Sequence, residues 1–180
     1  MSAVKRDGDE HCAPSRAVDM LRQPRSLGTN DVTTAAECTI RFSEILASDA
    51  DFVALAASVA CRGFTGRTDF TMARRDVHRF VGETQSLQSD ASDSALLLGG
   101  WEKGEERLRL QIVRAGRSGQ FAARVRITAM GPRSDQCNRV DTEFVVARDA
   151  LGLFLRGLER LASDATGEPA SLSGDPDAIA

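Results

Sequence analysis

The chain of 180 residues has no apolar run that approaches the roughly 20 residues needed by a membrane-spanning helix. Its first residues, MSAVKRDGDEHCAPSR, also lack the hydrophobic segment of a secretion signal. The two absences predict a protein that is not inserted in a membrane and is located in the cytoplasm.

The sequence also lacks the cysteine and histidine spacings of metal-binding and redox motifs. Its cysteines form no CxxC pair, and neither histidine lies at ligand spacing from another candidate ligand. The four cysteines are Cys12, Cys38, Cys61 and Cys137. We therefore expect no metal site and four reduced thiols, with Cys38 and Cys61 acting as small buried apolar residues.

Catalytic signatures are missing as well. The segment GFTGRT lacks the lysine of a phosphate-binding loop. Ser118 in GRSGQ lies between two predicted strands, whereas a nucleophile elbow joins a strand to a helix. We predict no catalytic residue and no cofactor, and hence a protein that is not an enzyme.

Charge of one sign does not dominate the central part of the chain. The net charge is −3, but the last 18 residues carry four acidic residues and no basic one. Residues 37–162 contain 18 basic and 17 acidic residues. Because affinity for nucleic acid comes from many Lys and Arg contacts to phosphates, this balance argues against a nucleic-acid-binding domain.

The two ends differ from the middle in composition. Residues 1–36 contain Pro, Gly and charged residues without a sustained apolar period, and residues 163–180 are small, polar and acidic. We predict a flexible leader over 1–36, a single α+β domain over 37–162 and a disordered acidic tail over 163–180.

Strand and helix periods alternate within this domain. ECTIRFSEIL and residues 52–73 show period two, and we interpret the second stretch as one bent strand rather than two strands broken near Gly63 and Gly66. A helix is predicted over roughly 72–88, with Thr71 as its N-cap. A second helix is predicted for RDALGLFLRGLERLA.

Four further strands are expected between the helices, in SALLLGGW, EERLRLQIVR, GQFAARVRITAM and RVDTEFVVA. The resulting order is β-β-α-β-β-β-β-α, which predicts one antiparallel sheet of about six strands with both helices on one face. The apolar side of this sheet is predicted to comprise Leu96, Leu98, Leu108, Leu110, Ile112, Phe121, Ala123, Val125, Ile127, Phe144 and Val146.

Arginines alternate with these apolar positions on two neighbouring strands. They are Arg107, Arg109, Arg124 and Arg126, and the next strand brings Asp141 and Glu143 to a comparable face. One interpretation is a solvated face stabilised by cross-strand ion pairs. The other is a surface that docks an acidic partner protein, since arginine is enriched at interfaces.

Trp101, the only tryptophan, ends the segment ALLLGGW after two glycines. It is expected either to cover the edge of the core or to anchor a partner, since Trp is frequent among residues that dominate binding energy.

The segments GFTGRTDFTMARRDVHRFVGETQSL, ALLLGGWEKGEERLRLQIVRAGRSGQFAARVRI and TEFVVARDALGLFLRGLERL together resemble the WapI-type immunity proteins and related small bacterial families. The resemblance covers about residues 37–162. It implies a non-catalytic α+β protein that binds and neutralises a cognate toxin, and it transfers no individual functional residue. The alternative is a small-molecule-binding or enzymatic domain with a site between sheet and helices.

Overall fold

The computed structural model describes residues 37–46, 50–100, 105–116, 119–130, 137–163 and 168–178. Its contacts divide the chain into units of residues 1–32 and 33–180, and all described residues lie in the second unit. The predicted leader and Trp101 lie outside the described residues.

The described chain is an α+β protein with two antiparallel sheets, not the single sheet that we expected. The elements are β1 (Cys38–Leu46), β2 (Phe52–Cys61), β3 (Phe64–Ala73), α1 (Arg74–Gln88), β4 (Ser94–Gly99), β5 (Leu108–Ala115), β6 (Gln120–Met130), β7 (Cys137–Val146), α2 (Arg148–Ala162) and β8 (Ala170–Gly174). The first sheet has the order β3-β2-β1-β8 and the second the order β4-β5-β6-β7. Isolated bridges from Thr71 to Gly100 and from Val145 to Asp175 join the sheets at two places.

Two of the differences from the expected strand count have simple causes. The stretch 52–73 is two strands, because Arg62 and Gly63 both have positive φ, as in the tight type I′ turns of hairpins. Part of the tail that we predicted to be disordered forms β8, which pairs with β1 through Leu172 opposite Ile40. A five-residue strand in a polar segment carries little sequence signal, since much of its stability comes from the neighbouring strand.

The helices have the predicted apolar stripes, but the start of α1 was placed too early. Thr71 belongs to β3, where its hydroxyl donates to the Gly100 carbonyl, and the N-cap residue is Ala73. The second helix has the predicted bounds. The two helices do not share one face of one sheet, because α1 packs mainly on β4 and α2 mainly on β8.

Arginines at the first turns connect the two helices reciprocally. Arg74, the first residue of α1, donates to the carbonyl of Ala162, the last residue of α2. Arg148, the first residue of α2, donates over 3.0 Å to the carbonyl of Gln88, the last residue of α1. Each helix start therefore lies beside the end of the other helix, and a cation satisfies a carbonyl at each helix C-terminus.

The core lies between the sheets and helices and includes three contacting phenylalanines. The ring of Phe42 is 6.2 Å from that of Phe70 and 5.7 Å from that of Phe154, between ring centroids. On β4, the inward residues are Ala95 and Leu97, so the prediction that Leu96 and Leu98 are the core residues of this strand is wrong by one position.

The chain also contains a repeated β-α-β unit. Residues 68–74 read TDFTMAR and residues 142–148 read TEFVVAR, each at the end of a strand that leads into a helix of 15 residues. The following strands contain ALLLG and ASLSG. In both units a Cβ on the last glycine, Gly99 or Gly174, would overlap the phenylalanine of the preceding strand, Phe70 or Phe144.

The expectation of reduced thiols is wrong for two cysteines. A disulfide joins Cys38 to Cys61 and so connects the start of β1 with the end of β2. Both residues are buried, as we expected. The antiparallel register that places Thr39 opposite Ala60 brings the two cysteines together.

Candidate functional site

The outer surface of the second sheet carries the predicted arginines. We call it the arginine face and define it by Arg107, Arg109, Arg124 and Arg126 with the acidic residues that contact them. Arg109 lies opposite Arg126, which lies opposite Asp141, and Arg124 lies opposite Glu143. Strands β5, β6 and β7 thus place these side chains together because successive residues of a strand alternate between faces.

The acids of β7 pair with the arginines of β6, and such cross-strand ion pairs are what the interpretation as a solvated face predicts. Arg124 Nε lies 3.0 Å from Glu143 Oε1, and Arg126 Nε lies 2.7 Å from Asp141 Oδ1. Arg139 is a third basic contact, at 2.5 Å from Asp141 Oδ2. The role of Arg139 was missed, although it lies two residues before Asp141 on the same strand.

The segment before β5 supplies two further acids that sequence reasoning did not assign to this surface. Glu106 accepts hydrogen bonds from Arg109 Nη2 at 2.6 Å and from Arg109 Nε at 2.9 Å. Glu105 accepts from Arg107 Nε at 2.8 Å. The adjacent acids in GEER indicate that carboxylates lie close to these arginines, but the side of the sheet to which their side chains point depends on the path of the chain into β5.

The pKa directions follow from these contacts. The hydrogen bond from Arg109 holds the pKa of Glu106 below the usual carboxyl value, although partial burial acts to raise it. Burial acts to raise the pKa of Asp141, but hydrogen bonds from Arg139 and Arg126 outweigh it and hold the pKa below its usual value. Both acids are therefore anions at neutral pH, and they balance much of the positive charge of the face.

An open cleft of about 630 Å³ lies beside the arginine face. Phe64, Arg62 and Pro176 line it together with residues of β7. Arg62 Nη2 lies 2.5 Å from Asp177 Oδ1 and donates over 2.9 Å to the carbonyl of Pro176. Phe64, at 72% exposure, is the most exposed large apolar side chain among the described residues.

One hydroxyl links this cleft to the disulfide. Thr142 Oγ1 donates to Cys61 Sγ over 3.0 Å, and both residues line the cleft. Thr142 lies between the outward-facing residues Asp141 and Glu143, so strand alternation directs its side chain toward the first sheet. The cleft therefore lies where β7 meets the turn between β2 and β3.

Two other types of site are absent from the described residues. No three of their histidines, cysteines, aspartates and glutamates are grouped so that they could bind a metal ion. None of their helices has the length and apolar character that crossing a membrane requires.

The chain matched no model of a protein family, no curated protein and no solved structure in the three comparisons. The resemblance to WapI-type immunity proteins therefore remains a prediction from the sequence pattern.

Proposed function

We propose that the protein is a non-catalytic binding protein whose arginine face docks a partner protein, and that it neutralises a cognate bacterial toxin as an immunity protein. The observation that carries this proposal is the presence of Arg109, Arg124 and Arg126 on one accessible surface, each held by a carboxylate. Side chains that are already ordered lose less entropy when a partner binds.

An apolar neighbour adds to this surface. Leu98 is 45% exposed and lies opposite Arg109 in the pairing of β4 with β5. Protein interfaces combine apolar contacts with arginine, whereas a surface for nucleic acid needs a large excess of positive charge. The balanced charges of this face therefore favour a partner protein with its own pattern of both signs.

The test is protection of a host that produces a candidate toxin, taken from a gene adjacent to the one for this chain. Wild-type protein is expected to protect and to bind the toxin with a Kd below about 1 µM. The double variant R124E/R126E should lose both properties, because it places four acids next to one another across β6 and β7.

The control is R41E, which makes one Arg-to-Glu reversal, half the charge change of R124E/R126E, at an exposed position of β1 in the first sheet. It should protect like the wild type. Equal protection by R124E/R126E and R41E would contradict the use of the arginine face, and a neighbouring toxin that the wild type does not bind would contradict the immunity role.

The alternative function, a small-molecule-binding or enzymatic domain, is favoured by a different observation, the cleft beside Phe64. It lies between β7 and the β2–β3 turn rather than between a sheet and the helices. A thermal-shift screen of small metabolites tests it, since a compound bound there should stabilise the wild type and fail to stabilise F64A.

A further inference from the structure

Strand β7 is an edge strand over most of its length. It pairs with β6 on one side, and on its other side the described strands and bridges provide only the single bridge from Val145 to Asp175. Residues 137–143 therefore have one strand neighbour within the described chain. An edge of this kind is a template for pairing with another strand.

The direction of the main-chain groups follows from that bridge. Val145 N–H donates to the Asp175 carbonyl, and Asp175 N–H donates to the Val145 carbonyl, each over 2.9 Å. In an antiparallel strand every second residue points its N–H and C=O to the same side. The main-chain groups of Asp141 and Glu143 consequently point to the open edge, away from β6.

Of the registers centred on Val140, Asp141 and Thr142, one brings opposite charges together without any like-charge contact. If two β7 strands pair antiparallel about Val140, Arg139 of each copy lies opposite Asp141 of the other copy. A register about Asp141 places Arg139 opposite Glu143, but it also brings Asp141 opposite itself at the centre. A register about Thr142 places Asp141 opposite Glu143. Since like charges directly opposite are destabilising, the sequence of β7 favours the register about Val140.

An exposed aromatic residue lies next to the same edge. Phe64 lines the cleft that residues 139–143 of β7 form with the β2–β3 turn. The residue is 72% exposed, and an exposed apolar side chain beside an open strand edge is a feature that association would cover.

We propose that two copies of this chain associate through antiparallel pairing of their β7 edges about Val140, which joins their second sheets into one sheet of eight strands. The pair has two-fold symmetry, so each Arg139 to Asp141 contact occurs twice. The charged outer residues oppose other registers and thereby protect the edge against unspecific pairing. This association is independent of the proposed toxin binding.

Sedimentation equilibrium of the full chain over roughly 1 to 100 µM tests the proposal, because a dimer forms by mass action. A mass of about twice the 19.4 kDa of the chain is expected. A monomer throughout this range overturns the proposal, and it leaves the toxin-protection result of R124E/R126E and R41E unaffected.

Charge variants test the register. R139D and D141R each place like charges opposite one another at both symmetric contacts, so each should raise the dimer Kd at least about tenfold. The double variant R139D/D141R restores opposite charges and should recover most of the affinity. Failure of the double variant to recover, with both single variants folded by circular dichroism, would overturn this register.

Two controls separate the edge from the arginine face. R126Q removes a contact of Asp141 within one chain but changes no contact between copies, and E143R changes a charge that lies opposite residue 137 in this register. Both should leave the dimer Kd within about twofold. A loss of dimer in E143R would instead indicate the register about Asp141.

Hydrogen exchange gives a readout at the strand itself. The amide protons of Asp141 and Glu143 should exchange slowly at concentrations where the dimer forms and rapidly in the D141R monomer. Equal exchange at low and high concentration in the wild type would show that another surface forms any dimer that is observed.

Discussion

The contact of Arg74 with the end of α2 permits a quantitative test of how the two helices stabilise each other. Arg74 is 9% exposed and donates from Nη1 to the carbonyl of Ala162. We consider R74M, because methionine keeps much of the apolar stem of arginine and removes the charged group. The change therefore reports on the hydrogen bond and the charge more than on lost packing.

The expected magnitude combines three contributions. Loss of a hydrogen bond from a charged donor to a buried carbonyl costs about 1.5 to 3 kcal/mol, since the acceptor is left without this partner. Loss of a cation at the C-terminus of α2 adds up to about 1 kcal/mol, but removal of the same cation from the start of α1 returns a similar amount. We expect R74M to lower the free energy of unfolding by about 2 kcal/mol.

Urea unfolding followed by circular dichroism measures this difference, and R148M is the matched control. Arg148 makes the corresponding contact to Gln88 from an exposed position, so its loss should cost less than about 1 kcal/mol. If R74M and R148M lower stability equally, burial does not give the Arg74 contact its additional value and the reasoning is refuted.

Three further tests use other features of the fold. In urea unfolding, G82A should raise the free energy of unfolding by about 0.5 to 1 kcal/mol, because alanine favours the helix and a Cβ at this position meets no other atom. G157A should lower the free energy of unfolding, because a Cβ there would lie 2.8 Å from a side chain of β8. A change of the same sign in both variants would contradict this account. Reduction of the Cys38–Cys61 disulfide should lower the free energy of unfolding by about 3 kcal/mol, given the separation of 23 residues between the two cysteines. Urea unfolding with and without reductant, together with a count of free thiols, measures this difference. An unchanged unfolding midpoint after full reduction would contradict the prediction. D141N should be less stable than the wild type by under about 1 kcal/mol at pH 7. The folded pKa of Asp141 is lowered, so its stabilising contribution is complete above the unfolded pKa and is lost as the pH falls through the folded pKa; the difference between the two proteins should therefore shrink as the pH falls below the usual Asp range. A difference that does not change with pH would contradict the ion-pair origin.

Much of the fold could be predicted where apolar and polar residues alternate with a clear period. The bounds of α2 follow from its leucine stripe, and the meander from β5 to β7 follows from period-two alternation. Leu96, Leu97 and Leu98 carry no such information, because three leucines in a row are compatible with either phase of a strand. The phase is decided by Phe70, which requires the small Gly99 on the inner side.

The division into two sheets could not be predicted from the periodicity of single strands. Strand periodicity predicts which residues face inward, but it does not predict which strand lies beside which. The assignment of β8 to β1 depends on contacts between distant parts of the chain. The repeat of TDFTMAR as TEFVVAR was visible in the sequence, and it would have indicated that the segment after α2 forms a strand like the one after α1.

The parts of the candidate site that lie on paired strands could be predicted from the sequence, and the parts that lie outside the strands could not. Asp141 and Glu143 could be matched to the arginines of β6 because side chains on adjacent strands follow the register. Glu106 lies before β5, where no period applies, and its contact with Arg109 depends on the path of the chain into the strand. The disulfide required the register of β1 and β2, which the spacing of the cysteines alone does not give.

The repeated unit shows which features belong to the scaffold and which are special to one half. Both units share the strand-to-helix sequence, the close approach of a glycine to a phenylalanine, and an arginine that satisfies the end of the other helix. Two strands precede the repeated unit in each half, β1 and β2 in the first and β5 and β6 in the second. A disulfide joins the start of β1 to the end of β2, whereas at the corresponding place in the second half Leu108 and Ile127 form an apolar pair between β5 and β6. Features shared by the two halves serve folding, since the same packing problem arises twice. The arginine face and the self-complementary edge of β7 occur in the second sheet, and this asymmetry is the reason to seek binding there.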